Sequence, residues 1–180
     1  MAPPKASRRQ SRLCFISPRL PEGALCWLRC LIPETEVMTN LEALRLAMRG
    51  RGPRAGWSEA LGARFAEVDE GRVVVELTVA ANHRQPGGVV QGGVITQIAD
   101  AAMGMSLLTA QPDDEANTTV NLKINFLRPV VEGRIRAIGR ILEMGETLLF
   151  SEGQVLNEAG KLMAQASSTC LRIPRDGGWR

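Results

Sequence analysis

The sequence predicts an α+β domain in which one long helix packs on an antiparallel sheet. Between Gln85 and Pro112 the chain holds a single charge, Asp100, inside an apolar run with helical spacing. Two β-like segments precede that run and four follow it, joined by short turns. A length of 180 residues suits one domain with one core.

The elements follow in order. Residues 1–37 are rich in Arg, Pro, Ser and Cys and show no sustained period. They read as a disordered or extraneous tail, in preference to an organelle-targeting segment. The single domain is expected over 38–180. Thr39 or Asn40 can cap a short helix through Leu41, Leu44, Leu46 and Met48, ended by Gly50, Gly52 and Pro53. Gly56 to Leu61 forms a second helical turn. Strands are expected at 63–68 and 72–80, with Asp69-Glu70-Gly71 turning between them. The turn Gln85-Pro86-Gly87-Gly88 leads into a helix from about Gly92 to Thr109, which stops before Pro112. Strands are then expected at 117–127, 133–142, 147–157 and 161–173. Short turns between them predict a meander of antiparallel neighbours.

Composition narrows the function. Residues 1–37 carry six basic and three acidic side chains, so with a net charge of +3 the remainder is neutral. The body has no excess that would draw it to nucleic acid. No Tyr and only four Phe and three Trp leave little for base stacking. No run of eighteen apolar residues exists, so no membrane span is expected. Cys14, Cys26, Cys30 and Cys170 with the single His83 do not make a zinc ligand set, so no metal site is expected. Reduced thiols and a cytoplasmic location fit best.

The long helix is the candidate site. Its apolar residues cover most of its surface, as in a buried helix. A carboxylate there is costly unless something uses or satisfies it. Asp100 shares a face with Gly93, Thr96, Gln97 and Gly104. Gly92 and Gly93 let a ligand approach the first N–H groups, which have no partner inside the helix and sit at the positive end of its dipole. Such an end can hold a carbonyl oxygen that gains negative charge during acyl transfer. Asp100 lies about 10 Å along the axis from Gly93. One helix therefore cannot bring both features to one carbonyl, but a second copy packed antiparallel can, twice per two-fold dimer. Read from spacing alone, Asp100 could equally be satisfied by a neighbouring backbone or Thr.

Three segments in order, HRQPGGVVQGGVITQIADAAMG, TTVNLKINFLRPVVEG and GKLMAQASSTCLR, carry a family resemblance. From about Ala63 to Arg172 the chain resembles the hotdog-fold thioesterases of the phenylacetate-degradation (PaaI-like) type. Members look like H-x-N-P-x-G-x-x-H-G-G-x(6)-D, followed by a [ST]-V-[DN]-[LM]-x-[IV] strand and R-P. The resemblance implies a long central helix wrapped by a curved antiparallel sheet of about five to six strands. It implies a homodimer, with dimers pairing into tetramers, and cofactor-independent hydrolysis of acyl-CoA thioesters. It gives Asp100 the acidic catalytic role across the dimer interface and Gly92, with Gly93, the backbone donors to the thioester oxygen. Thr119 falls where a small hydroxyl positions the water or the acid. His83 matches the first position of the motif.

The chain departs from the pattern twice. Gln91 replaces the usual His before Gly-Gly, and Gln85 replaces the usual Asn before Pro. Gln91 can donate to a carbonyl but cannot carry a proton. Gln85, Gly93, Gln97, Arg84 and Arg128 are the expected substrate contacts, the arginines for CoA phosphates. Asp100 would activate water or attack the carbonyl itself. The alternative is a non-catalytic acyl-CoA binder, suggested by the two Gln substitutions. A hotdog dehydratase fits less well, because the only His lies outside the helix.

Overall fold

The computed structural model describes residues 38–51 and 56–175. The expectations for residues 1–37, with Cys14, Cys26 and Cys30, and for Gly52 and Pro53 lie outside these. Two short helices, α1 (Asn40–Met48) and α2 (Gly56–Leu61), precede β1 (Ala63–Asp69) and β2 (Arg72–Thr78). A 3-10 turn at Ala81–His83 leads to α3 (Gly92–Leu108). Strands β3 (Glu115–Phe126), β4 (Arg134–Met144), β5 (Leu148–Asn157) and β6 (Leu162–Pro174) complete the chain.

Of the two candidate caps, Thr39 is the one used: its hydroxyl accepts from the Glu42 N–H, and the Glu42 carboxylate accepts from the Thr39 backbone. Asn40 instead docks the helix. Its amide donates to the carbonyls of Gln111 (3.3 Å) and Pro112 (3.1 Å) beyond the end of α3. The β1–β2 hairpin closes through Gly71, whose φ of 72° is the left-handed value a tight turn requires.

All strands lie in one antiparallel sheet in the order β1-β2-β4-β5-β6-β3. The predicted meander holds for β4, β5 and β6 but not for β3. Strand β3 pairs with β6 at the sheet edge, and β4 pairs with β2. The link after β3 is a crossover with its own anchors, not a tight turn. Val130 is buried and accepts from the Val90 N–H (2.8 Å), and Gly133 accepts from Val79 (2.9 Å). Pro129 follows the strand, and the buried Val130 ties the link to the loop before α3.

Helix α3 packs against all six strands. Ile98, Ala99, Ala102, Met103 and Leu107 are fully buried. The closest approach is at Gly139, where a Cβ would lie 2.2 Å from the Ala102 carbonyl oxygen. Gly139 pairs with Gly153, and Gly153 with Ala166. This row of small residues is the trough in which the helix lies. One stripe escapes it: Gly93 and Gln97 are exposed, while Asp100 and Gly104 are half-buried. No described helix is long and apolar enough to cross a membrane.

Candidate active site

Strand β3 runs antiparallel beside that stripe. Near its start Asn117 donates to the Gly104 carbonyl (3.1 Å). Next, Thr119 donates its hydroxyl to Asp100 Oδ1 (2.9 Å). At its end, the Phe126 ring lies over Gly92, where a Cβ would come within 3.0 Å of it. Thr119 faces the helix because a bulge at Val120 follows it in the register with β6. Asp100 Oδ2 has no hydrogen-bond partner among the described residues. The site therefore has a carboxylate with one oxygen anchored and one free.

The start of α3 makes the second half. Gln91 is the N-cap, with extended backbone (φ −63°, ψ 136°) and no side-chain cap bond. The Gly92 and Gly93 N–H groups find no acceptor among the described residues. Thr96 turns its hydroxyl back onto the Gly92 carbonyl (2.8 Å), so it serves the helix and not a ligand. The preceding loop is tied down at three points. Arg84 forms an isolated β-bridge with Val90, the Gln85 N–H donates to Val89 (2.9 Å), and the Gln91 N–H donates to His83 (2.9 Å). His83 is 3% exposed and its Nδ1 accepts from the Ala80 N–H (3.0 Å), which is a structural task. Arg84, Gln85 and Gln97 present exposed side chains.

A groove of about 300 Å³ opens beside Gly92, lined by Val90, Ile95, Phe126, Arg128 and Val130 among others. Arg128 is held at its rim by a bond to the Leu162 carbonyl (2.7 Å). The loop, the helix start, Arg128 and Phe126 are thus brought together, and Asp100 is brought to Thr119. The two groups are not brought to each other: Gly92 and Asp100 are separated by about 12 Å of helix. A second depression, of about 280 Å³, holds Glu76, Arg134 and Arg136. Its charges pair among themselves on the opposite face of the sheet, with Glu76 taken up by Arg64, Arg134 and Arg136. Among the described residues no group of three or more His, Cys, Asp or Glu could hold a metal.

Sequence reasoning missed Phe126 as a neighbour of Gly92 and the polar groups behind Thr119. Cys170 lies 3.7 Å from the Thr119 hydroxyl and is fully buried. Burial pushes its thiol above the ordinary value. The contacts with Thr119 and Ser168 oppose this, and the negative charge of Asp100 adds to it. Alternation of Ser168 and Cys170 on one face of β6 was legible, but their register against β3 was not.

The thioesterase superfamily profile matches residues 87–164, a span that includes the Gly-rich turn, all of α3 and β3. A protein of Saccharolobus solfataricus named "Putative esterase" is 34% identical over 106 residues, covering 59% of this chain and 75% of that one. Human acyl-coenzyme A thioesterase 13 is 26% identical over 136 residues, covering 73% of this chain and 96% of that one. The crystal structure of a phenylacetic acid degradation-related protein from Ralstonia eutropha superposes with a TM-score of 0.65 at 27% identity, covering 72% of this chain and 98% of that one. With a single long helix on a six-stranded antiparallel sheet, and with its match running through the helix that carries Asp100, this chain belongs to the thioesterase superfamily and has the hotdog fold of its phenylacetate-degradation-type members.

Proposed function

We propose that the chain hydrolyses acyl-CoA thioesters at a site completed by a second copy of itself. The observation that carries this is Asp100, on the partly exposed stripe of α3, held at one oxygen by Thr119 of the edge strand β3. Beside it runs β3, an edge strand with no partner on its outer side among the described elements. Val120, the bulged residue of β3, is 56% exposed. Pairing two such edges by a two-fold axis would cover both stripes and set the Asp100 of one copy near the α3 start of the other.

In that arrangement the thioester oxygen lies at the Gly92 and Gly93 N–H groups, with the Gln91 amide as an additional donor. Asp100 Oδ2 then takes the proton of the attacking water, or attacks the carbonyl carbon itself. In the first route water adds to the carbonyl, the C–S bond breaks, and the proton taken by Asp100 passes to the leaving CoA thiolate, leaving the free acid. In the second, C–S cleavage leaves an acyl-Asp100 anhydride, which a water molecule then hydrolyses to the free acid and the original carboxylate, its proton going to the thiolate. Gln85 and Gln97 lie along the same exposed surface, and Arg84 and Arg128 are placed to meet CoA phosphates at the mouth. The name of the human relative supports an acyl-CoA substrate. The fold's habit of pairing dimers would make the assembly a tetramer.

The test is a thiol-release assay over a panel of acyl-CoAs with the wild type and Asp100→Asn. The wild type should turn over, and the variant should lose hydrolysis while keeping its oligomeric state by sizing chromatography. Near-wild-type turnover by Asp100→Asn would remove Asp100 from the chemistry. A second reading is favoured by one observation: Gln91 offers an amide where the family has an ionisable ring. It predicts that the wild type binds CoA esters by calorimetry without hydrolysing any of the panel.

A further inference from the structure

Behind Thr119 the inner face of the sheet carries an unbroken row of hydroxyl and thiol groups. Thr119 Oγ1 lies 3.7 Å from Cys170 Sγ, Cys170 Sγ lies 3.8 Å from Ser168 Oγ, and Ser168 Oγ lies 2.8 Å from Ser151 Oγ. The row crosses three strands, because Thr119 is registered with Cys170 and Ser168 with Ser151. Cys170 and Ser151 are fully buried and Ser168 is 4% exposed, so each needs a partner inside the protein.

Each of these groups has one hydrogen to give. Thr119 gives its hydrogen to Asp100 Oδ1 (2.9 Å). Its contact with Cys170 must therefore use the thiol hydrogen, with Thr119 accepting. Ser168 must then donate to the sulfur, and Ser151 to Ser168. An ionised Asp100 at one end thus orients every hydrogen in the row toward itself. Burial pushes the Cys170 thiol above its ordinary value and the Asp100 charge adds to this, against the opposing contacts with Thr119 and Ser168.

We propose that Ser151, Ser168 and Cys170 form a one-directional hydrogen-bond chain that positions Asp100 through Thr119. The inference rests on the catalytic reading of Asp100 but concerns residues that reading does not use. Hydrogen bonds in series polarise one another, so the Thr119–Asp100 bond is stronger than an isolated one. The chain keeps Oδ1 engaged and Oδ2 free to act. Cys170, Ser168 and Ser151 touch no substrate, so they are positioning residues.

The experiment compares Cys170→Ala, Cys170→Ser and Ser168→Ala in the full chain, with Thr119→Val and Asp100→Asn as references. Cys170→Ala and Ser168→Ala should lower kcat about tenfold and leave KM within about twofold, because substrate contacts are untouched. Cys170→Ser keeps a donor and an acceptor and should recover kcat to within about threefold of wild type. A merely structural role would not distinguish Ser from Ala in this way, since the serine is the more polar replacement for a buried thiol. Infrared spectroscopy supplies a readout independent of turnover. The Cys170 S–H stretch, isolated as the difference between wild type and Cys170→Ala, should lie at lower frequency in wild type than in Thr119→Val. Full kcat in Cys170→Ala, equal losses in Cys170→Ser and Cys170→Ala, or an S–H band unmoved by Thr119→Val would each overturn the chain. Turnover retained in Asp100→Asn would instead overturn the catalytic reading, and the S–H band would still report on the chain.

Discussion

At the start of α3, Gln91 places a neutral amide beside two backbone N–H groups that have no acceptor among the described residues. An amide can stabilise a developing oxyanion but cannot exchange a proton at ordinary pH. If the amide is a donor in the transition state, Gln91→Ala should lower kcat by up to about 10² with a smaller change in KM. Steady-state kinetics on the best substrate of the panel checks this. Unchanged kcat would leave the oxyanion to the glycine N–H groups alone. Asp100 differs from Gln91 in how far it could be read in advance. Its isolation within an apolar helix was visible in the sequence, and so was the stripe it shares with Gly93 and Gln97. The family motif singled out Thr119 as a small hydroxyl near the site, and its hydroxyl lies 2.9 Å from Asp100 Oδ1. His83 also matched the motif, yet its ring is buried and accepts from the Ala80 N–H. Local backbone geometry had already claimed it.

For α3, the decisive packing partner is the row of small residues on the sheet. A Cβ on Gly139 would overlap the Ala102 carbonyl carbon (2.3 Å) and oxygen (2.2 Å), both of them helix backbone, which cannot rotate away. Gly139→Ala should therefore cost at least about 3 kcal/mol, at the upper end of overpacking penalties. Urea unfolding monitored by circular dichroism measures it. Gly153→Ala meets the flexible Met103 side chain instead, at 3.0 Å from Sδ, and should cost less. A cost for Gly139→Ala below that for Gly153→Ala would contradict the helix–sheet contact. Strand β3 shows the limit of reading elements one at a time. Its alternation of Leu122, Ile124 and Phe126 was clear, and its extent matches within two residues at either end. Its neighbour was not clear, because a link holding Pro129 and the buried Val130 looks locally like a turn.

Across the whole molecule, the separation of about 12 Å between Gly92 and Asp100 on one helix is what a two-copy site must resolve. It makes a sharp complementation test possible. Gly92 is the first helical position, where proline is tolerated, and Gln91 already has the extended backbone that a following proline demands. Gly92→Pro thus deletes one N–H donor while sparing the helix, although its ring must displace that of Phe126. Each variant alone, Gly92→Pro or Asp100→Asn, should be nearly inactive. Refolded together, they should regain activity, because a mixed dimer holds one site with both lesions and one with neither. Activity no higher than the average of the two parents would place both features of each site in one chain.

The element order, the limits of α3 to within one residue at Leu108, and the isolation of Asp100 are all written in the sequence. These are local properties: hydrophobic period, turn residues and the cost of a charge among apolar neighbours. Folding of the whole sheet puts β3 at its edge against β6, and therefore stands Thr119, Cys170, Ser168 and Ser151 in one row leading to Asp100. Register between strands far apart in sequence depends on how the whole sheet closes around the helix, with Gly139 setting how near that helix can come.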